Sequence, residues 1–389
     1  MHTSRKKAVL VTIAACALSA CTSAPTSQIP LGASQTAISQ NSIQRGGPLK
    51  KKPSLIIVVA TGLENPRGLT FGPDGRLYVA EGGLGGTQST TPEQCQQVPA
   101  PIGPYTGGYT ARVSAVDVTS GKRITILNKL PSAQTNASSG GYVSGAAAVA
   151  FLHHTLYVLV SGAGCSHGLA GTYNSIEAIG PDCTAKAIVN LSEFLMNNPV
   201  AHPNPGDFEP DGTWYSMVAV GNALYAVEPN HGEVDVITPA GSISRLVDVS
   251  ATQGHIVPTA IAFGHGRFVL GNLNTFDPGS NGNARVFSLT MQGALNQIAS
   301  GLTAVTGVAV HQGHIYALEA FTGFYAPAPP FANTGTVVRL EKNGTWTPVV
   351  SGLSFPTAMT FGHNNTLYIS NKGFGQATNT SGEIVKVQI

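Results

Sequence analysis

The sequence has few charged residues and lacks the short motifs that mark several familiar catalytic sites. Only 10% of its 389 residues are charged, against 46 glycines and 25 prolines, a balance typical of many tight turns rather than long exposed helices. No Gly-x-Ser-x-Gly, Cys-x-x-Cys or His-Glu-x-x-His motif is present. With 21 Lys and Arg against 19 Asp and Glu, no basic patch indicates a nucleic acid, and we expect no such partner.

The first twenty residues are too short for a stable membrane span but have the order of a secretory signal. Basic residues at 5–7 precede an apolar run over 8–17, and "LSAC", ending at Cys21, resembles a bacterial lipobox. We therefore predict a lipoprotein signal peptide over 1–20, with Cys21 as the lipidated residue. An ordinary cleaved signal beside a chance cysteine is the alternative. Either interpretation predicts an exported protein of the bacterial cell envelope, and lipid would anchor it to a membrane.

Two further segments follow. Residues 21–54 are rich in Ser, Thr, Gln, Pro and Gly, show no sustained apolar period, and are predicted to be a disordered tether. Residues 55–389 are evenly patterned and long enough to bury a large core, which predicts one folded domain.

The domain is built from a repeated unit. The stretch "NPRGLTFGPDGRLYVAE" at 65–81 has relatives that begin at Val257, Val305 and Phe355. Six alternating runs close such units: "LYVAE", "LYVLVS", "LYAVE", "FVLGN", "IYALE" and "LYISN". Four short strands per unit, with period-two alternation and glycine-rich turns, are typical of propeller blades. We predict an all-β, six-bladed β-propeller; a β-sandwich is the alternative, but it would not explain six copies.

The two chain ends complement each other. The first unit lacks its third strand, whereas the last residues, "GEIVKVQI", supply an additional one. Pairing the N- and C-terminal strands would complete the last blade and remove the exposed strand edges where the ring closes. We therefore predict a closed ring.

Propeller topology assigns the long connections to one face. We call the face on which the innermost strand of each blade begins the top face. Short turns such as "GPDG" and "GHGR" fall on the bottom face, and the long connections fall on the top face: 82–111, 131–144, 161–173, 196–213, 273–282 and 321–334. Because long loops usually carry function, the top face is the predicted working surface.

The same topology bears on the cysteines of the domain, which are Cys95, Cys165 and Cys183. Closeness in sequence favours pairing Cys165 with Cys183, but Cys183 falls in a bottom turn, about one strand length from Cys165. Cys95 and Cys165 fall in top loops of adjacent blades. Since the Cα atoms of a disulfide lie within about 7 Å, we predict a bond between Cys95 and Cys165.

Three stretches resemble the ScyD/ScyE family of propeller proteins. They are "VVATGLENPRGLTFGPDGRLYVAE", "CQQVPAPIGPYTGG" and "PNPGDFEPDGTWYSMVAVGNALYAVEPNHGEVDVI". The resemblance runs from about residue 56 to the C-terminus. It implies an exported propeller whose biochemical activity is undefined.

Polar residues recur where each second strand ends, near the channel mouth of the predicted ring. They are Glu81, Ser161, Glu228, Asn272, Glu319 and Asn371. Three carboxylates and two amides would suit a divalent cation such as calcium, so Glu81, Glu228, Asn272, Glu319 and Asn371 are candidate metal ligands. The alternative is that they hydrogen-bond neighbouring blades. No other cofactor is indicated.

The starts of the innermost strands add candidate ligand-binding residues, namely Arg67, Thr259, Thr306 and Thr357. Such a mouth resembles, in architecture only, the gluconolactonase-like propellers, in which a divalent ion polarises a lactone carbonyl. His231 and His255 are candidate catalytic bases, with a structural role as the alternative. Residues 207–212, "DFEPDG", resemble the start of a calcium loop but have Val218 in place of the required Glu, which indicates an ordinary acidic turn.

Two classes of function follow. The first is a binding or scaffold module that takes a small molecule, a saccharide or a protein on its top face, with Phe324, Tyr325 and Phe331 as candidate stacking residues. The second is a metal-dependent lactone or ester hydrolase at the channel mouth. We favour binding by a monomer, because no catalytic constellation is stronger than its structural alternative.

Overall fold

The computed structural model describes residues 55–275, 278–323 and 332–389. The predicted signal peptide, Cys21 and the tether lie outside the described residues, as do Phe324, Tyr325 and Phe331. Within the described part of the chain, no helix is both long enough and apolar enough to span a membrane.

Six antiparallel sheets form the six blades of a β-propeller, which confirms the predicted fold. The chain begins with β1 (Ile57–Leu63). Blade 1 contains β2 (Pro66–Phe71), β3 (Leu77–Glu81), β4 (Thr106–Val116), β5 (Arg123–Gln134) and β6 (Val143–Ser144). Blade 2 contains β7 (Ala146–Leu152), β8 (Thr155–Val160), β9 (Ser175–Ile179) and β10 (Ala185–Asn190). Blade 3 contains β11 (Ser216–Val220), β12 (Ala223–Glu228), β13 (Glu233–Ile237) and β14 (Ile243–Asp248).

The other three blades have the same plan. Blade 4 contains β15 (Pro258–Gly264), β16 (Arg267–Asn272), β17 (Ala284–Leu289) and β18 (Leu295–Leu302). Blade 5 contains β19 (Val305–His311), β20 (His314–Glu319), β21 (Gly335–Leu340) and β22 (Trp346–Leu353). Blade 6 contains β23 (Ala358–Phe361), β24 (Thr366–Asn371) and β25 (Gly382–Gln388). Two short helices, α1 (Leu191–Asn197) and α2 (Ser250–Gln253), lie in the connections after blades 2 and 3.

The ring closes where the chain ends meet. Strand β1 pairs antiparallel with β25 and becomes the outermost strand of blade 6, in the order β1-β25-β24-β23. This pairing confirms the predicted closure by the N- and C-terminal strands.

Blade 1 differs from the expected four-strand unit. Strands β4 and β5 extend into segments that the sequence analysis assigned to top loops, and the short β6 adds a fifth strand. Because Glu81 at the end of β3 is opposite Arg112, residues 106–111 of β4 continue beyond β3 and pair with β5. The result is a ribbon of β4 and β5, extended by β6, that projects on the top face.

The hydrophobic core lies between the blades. Six clusters of buried side chains each join two neighbouring blades. Fully buried Phe268 and Phe287 contribute to the junction of blades 3 and 4, and Leu63 of β1 packs with blade 1 where the ring closes. At the junction of blades 1 and 2 the innermost strands approach so closely that a Cβ on Gly68 would lie 2.8 Å from Ala148 Cα.

The predicted disulfide is present between Cys95 and Cys165, whose Cα atoms are 6.2 Å apart. It ties the top loop of blade 1 to that of blade 2. Cys183 lies in the turn between β9 and β10, at the opposite end of the blade from Cys165. The topological argument against the pair that is nearer in sequence is therefore confirmed.

Candidate functional site

The end residue of the second strand in blade 1 is held by its own surroundings. Glu81 is fully buried. One carboxylate oxygen accepts a hydrogen bond from the Glu64 backbone N–H at 2.7 Å and pairs with Arg112 Nη2 at 2.7 Å. The other accepts a hydrogen bond from Ser114 Oγ at 2.5 Å. Both oxygens are therefore bound within blade 1 and the connection that precedes it.

The same arrangement recurs in blades 3 and 5. Glu228 accepts hydrogen bonds from the backbone N–H groups of Thr213, at 2.8 Å, and His231, at 2.6 Å. Glu319 accepts one from the Thr303 N–H at 2.7 Å. Burial raises the pKa of both carboxyls, that of Glu319 to about 7, and no second carboxylate contributes to the Glu319 shift. Each of these side chains fixes the connection that leads into the innermost strand of its blade.

The amides at equivalent positions are also bound within their blades. Asn272 Oδ1 accepts a hydrogen bond from the Arg285 N–H at 2.7 Å, and its Nδ2 donates to the Ile256 carbonyl at 2.8 Å. Asn371 Oδ1 accepts one from the Ser354 N–H at 2.9 Å. Among the described residues, no three His, Cys, Asp or Glu side chains lie close enough together to hold a metal ion. The three carboxylates among the predicted cation ligands, Glu81, Glu228 and Glu319, therefore do not come together in this structure.

Hydroxyl groups at the starts of the innermost strands join successive blades. The side chains of Ser216, Thr259, Thr306 and Thr357 each donate a hydrogen bond to a backbone carbonyl of the next blade. We call these four residues the hydroxyl ladder. The bonds run from Ser216 to Thr259 at 2.5 Å, from Thr259 to Val305 at 2.5 Å, from Thr306 to Pro356 at 2.9 Å and from Thr357 to Pro66 at 2.6 Å. Thr259, Thr306 and Thr357, which we predicted to bind a ligand, thus each have a structural partner.

Arg67 occupies the ladder position in blade 1. Pro66 precedes it and is opposite the last residue of β3, just as Pro258, before Thr259, is opposite the last residue of β16. Arg67 is only 8% exposed. Its Nη2 donates a hydrogen bond to the Val143 carbonyl at 2.5 Å. A guanidinium therefore stands where three other blades have threonine.

Aromatic rings surround this guanidinium at the top of the channel. Its central carbon lies 5.9 Å from the centroid of the Tyr215 ring and 5.7 Å from that of Phe374, both within cation–π range. The Phe374 ring stacks on Tyr142 with centroids 4.5 Å apart. Tyr215, in blade 3, donates its hydroxyl to the Thr357 carbonyl at 3.2 Å, next to blade 6. We call Arg67, Tyr142, Tyr215 and Phe374 the mouth cluster.

Below the mouth cluster the channel contains a cavity of about 480 Å³. All six innermost strands line it, from Tyr215 near the top to His311 and Phe361 near the bottom. The rings of His311 and Phe361 stack with centroids 3.9 Å apart. Its walls expose polar and apolar surface in similar amounts, with Thr306 and Thr357 near the top and His311 near the bottom, and its volume lies in the range of small-molecule sites.

A second cluster of ionisable groups lies among the top loops of blades 1 to 3. Glu209 accepts a hydrogen bond from the Tyr105 hydroxyl at 2.6 Å and lies 3.2 Å from His167 Nε2. Burial lowers the pKa of His167, but the hydrogen bond and charge of Glu209 outweigh it, so the pKa is raised overall. Asp211 accepts two hydrogen bonds from Ser166, at 2.7 and 2.6 Å. The segment that we interpreted as an ordinary acidic turn therefore anchors two neighbouring loops.

The two histidines proposed as catalytic bases contact this same segment. His231 Nε2 lies 2.9 Å from the Glu209 carbonyl oxygen, and His255 Nε2 lies 2.9 Å from Asp207 Oδ2. Neither belongs to the mouth cluster. These contacts favour the structural interpretation of both residues.

Beside the disulfide there is a further cavity of about 470 Å³. Besides the cysteines, Asp211 and His231, its walls are mainly apolar and include Leu195, Met196, Val200 and Phe208. Its ionisable residues are already bonded to protein groups, so it offers less directional chemistry than the mouth cluster.

Comparison with solved structures relates the chain to other propellers at very low sequence identity. A gluconolactonase from Xanthomonas campestris is 11% identical with a TM-score of 0.51, over 86% of this chain and 89% of its own. The PQQ-bound aldose sugar dehydrogenase from Streptomyces coelicolor is 12% identical with a TM-score of 0.51, over 86% and 98%. A Bacteroides thetaiotaomicron protein of unknown function is 10% identical with a TM-score of 0.51, over 86% and 75%. No family model and no curated protein matches the sequence. At these identities the likeness establishes the fold alone.

Arg67 could be singled out from the sequence, whereas its aromatic neighbours could not. Tyr215 directly precedes a ladder position, and that spacing was the available signal. Tyr142 and Phe374 lie on separate connections, and nothing in the local pattern indicates that they stack. The Glu209 contacts were also missed, because they join loops that are distant in sequence.

Proposed function

We propose that this protein is a binding module that holds a small molecule at the channel mouth on its top face. The observation that carries the proposal is the mouth cluster, in which a buried guanidinium lies within 6 Å of two aromatic rings above a cavity of about 480 Å³. A concave site of this size, at which a charged group and aromatic side chains converge, is typical of ligand sites.

The loops around the mouth support this proposal because they are fixed in advance. The disulfide joins the top loops of blades 1 and 2, and Glu209 binds Tyr105 and His167 from the same two loops. A surface that is already ordered loses less conformational entropy when it binds a ligand.

The proposal places the module outside the cytoplasm. In it, the chain is a monomeric ScyD/ScyE-like protein, exported by its N-terminal signal and attached to a membrane through lipidated Cys21. A saccharide and a protein are the two other classes of ligand for the same face.

The test is ligand-observed NMR with a panel of saccharides and small aromatic compounds. Phe374→Leu removes a ring face but keeps an apolar side chain, and we expect it to weaken binding several-fold to about tenfold. Tyr173→Ala is the control, since this tyrosine is 41% exposed and lies outside the mouth cluster. Equal loss of binding in both variants, or no effect in either, would refute the mouth as the binding site.

The second candidate function is metal-dependent hydrolysis of a lactone or ester at this face. Its support is the structural likeness to a gluconolactonase. The bonds of Glu81, Glu228 and Glu319 oppose it, because both oxygens of Glu81 and Glu228 and one oxygen of Glu319 already accept hydrogen bonds from the protein. A lactone and ester screen, run with calcium and then with a chelator, separates the candidates: a hydrolase shows turnover that chelation abolishes, whereas a binding module shows none.

A further inference from the structure

Arg67 differs from the other arginines of the protein in how its charge is balanced. It is the only Lys or Arg among the described residues that is buried. Several less buried arginines have carboxylate partners: Arg112 with Glu64 and Glu81, Arg123 with Glu81, Arg245 with Glu233, and Arg339 with Glu341. No carboxylate of the described chain lies within ion-pair distance of Arg67. The most deeply buried Lys or Arg of the described residues thus has no carboxylate partner among them.

The fold does not require an arginine at this position. In blades 4, 5 and 6 the equivalent residue is a threonine, whose hydroxyl suffices to bond the next blade. Threonine at position 67 would fit the same strand register. Strand register alone therefore does not explain the guanidinium.

Burying a cation without a counter-ion is unfavourable, and the surroundings of Arg67 offset only part of the penalty. The Val143 carbonyl accepts one hydrogen bond, and the faces of Tyr215 and Phe374 attract the charge. Tyr215 also contributes a side-chain hydrogen bond to the guanidinium. None of these partners carries a negative charge, so an anionic ligand would supply the counter-ion that the described residues do not.

We infer that the mouth cluster binds an organic carboxylate, with the carboxylate on Arg67 and a ring or other apolar part against Tyr142 and Phe374. This inference rests on the proposed function and specifies its ligand class. A charge-assisted hydrogen bond to a buried guanidinium is stronger than one between neutral groups. The site should therefore discriminate between an acid and its neutral analogue of the same shape.

The experiment uses matched probes on the purified protein at constant ionic strength. Benzoate is compared with benzamide, and galacturonate with methyl galactoside, by ligand-observed NMR and by the shift of the thermal unfolding midpoint. Arg67→Thr introduces the residue that blades 4 to 6 use at this position. Arg285→Gln is the control, because Arg285 also lies over an aromatic ring, 5.4 Å from the Phe287 centroid, and also lacks a carboxylate partner in the described chain.

We expect at least one carboxylate to bind more tightly than its neutral analogue, and Arg67→Thr to weaken it by about tenfold to 100-fold while Arg285→Gln does not. In the absence of ligand, Arg67→Thr should unfold at the same or a higher temperature than the parent protein, because it removes an unbalanced buried charge.

Two results would overturn the inference. If neutral probes bind as tightly as acids and Arg67→Thr binds both normally, the anionic ligand class is wrong but the proposed binding function stands. If no probe binds and Arg67→Thr unfolds at a lower temperature, the guanidinium is structural, and the inference fails whatever the panel for the proposed function reveals.

Discussion

At the scale of single residues, blade 3 has more buried acidic side chains than basic ones to pair with them. Glu233 and Asp235 of β13 are fully buried, and Arg245 pairs with Glu233 alone. Burial raises the pKa of Glu233 to about 9 and that of Asp235 to about 7, and the Trp214 indole N–H donates to Asp235 at 3.2 Å. Because these pKa values exceed those of the unfolded chain, the native state binds more protons. The stabilisation is full below about pH 4 and is lost as the pH rises toward 7 for Asp235 and beyond it for Glu233.

Asp235→Asn should therefore stabilise the protein at pH 8 and reduce the fall in its unfolding free energy between pH 4 and 7. For each proton that the native state no longer takes up, the slope of the unfolding free energy against pH changes by about 1.4 kcal/mol per pH unit. Urea unfolding across this range measures the effect. Asp182→Asn, in an exposed turn, should leave the slope unchanged. An unaltered slope for Asp235→Asn would mean that Asp235 is ionised in the native state throughout.

At the scale of elements, the hydroxyl ladder adds hydrogen bonds at four of the six blade junctions, and Thr357 makes the one across the closure from blade 6 to blade 1. Thr357→Val keeps the shape of the side chain but leaves the Pro66 carbonyl without this donor. We expect a loss of about 1–3 kcal/mol in unfolding free energy, and little loss for Thr357→Ser, which retains a hydroxyl. Denaturant unfolding measures these losses. Thr366→Val is the control, because the hydrogen bond from the Thr366 hydroxyl to Gln388 is exposed to solvent. Equal effects at positions 357 and 366 would contradict a special role for the ladder.

The strands could be predicted from the sequence because period-two alternation and glycine turns are local signals. The direction in which the side chains at the strand ends point could not be predicted in this way. Glu81 was expected at a shared cation site because it ends a strand on the top face, yet its carboxylate binds Glu64, Arg112 and Ser114. In a propeller the sheet faces pack against neighbouring blades, so a side chain at a strand end can lie along the blade instead of facing the channel. Which direction it takes depends on partners distant in sequence, and no local pattern encodes them.

At the scale of the whole molecule, closure could be inferred because the first unit lacks a strand that the last supplies. The disulfide followed by the same reasoning, since topology fixes which loops share a face even where sequence distance suggests otherwise. The mouth cluster did not follow, because Arg67, Tyr142, Tyr215 and Phe374 come from four separate connections or strand starts. The connectivity of the ring can be predicted by counting repeated units in the sequence. A site assembled from several blades can be seen only in the three-dimensional structure.

The closure also makes the stability of the ring depend on β1. Leu63 is fully buried where blade 6 meets blade 1, whereas Val58 of the same strand is 51% exposed. Leu63→Ala should lower the unfolding free energy by about 2–5 kcal/mol, and Val58→Ala by much less. Because loosening β1 exposes the edge of β25, Leu63→Ala should also associate as its concentration rises, which light scattering detects alongside denaturant unfolding. Association that is equal in the two variants would contradict this, since of these two side chains only that of Leu63 is buried against the ring.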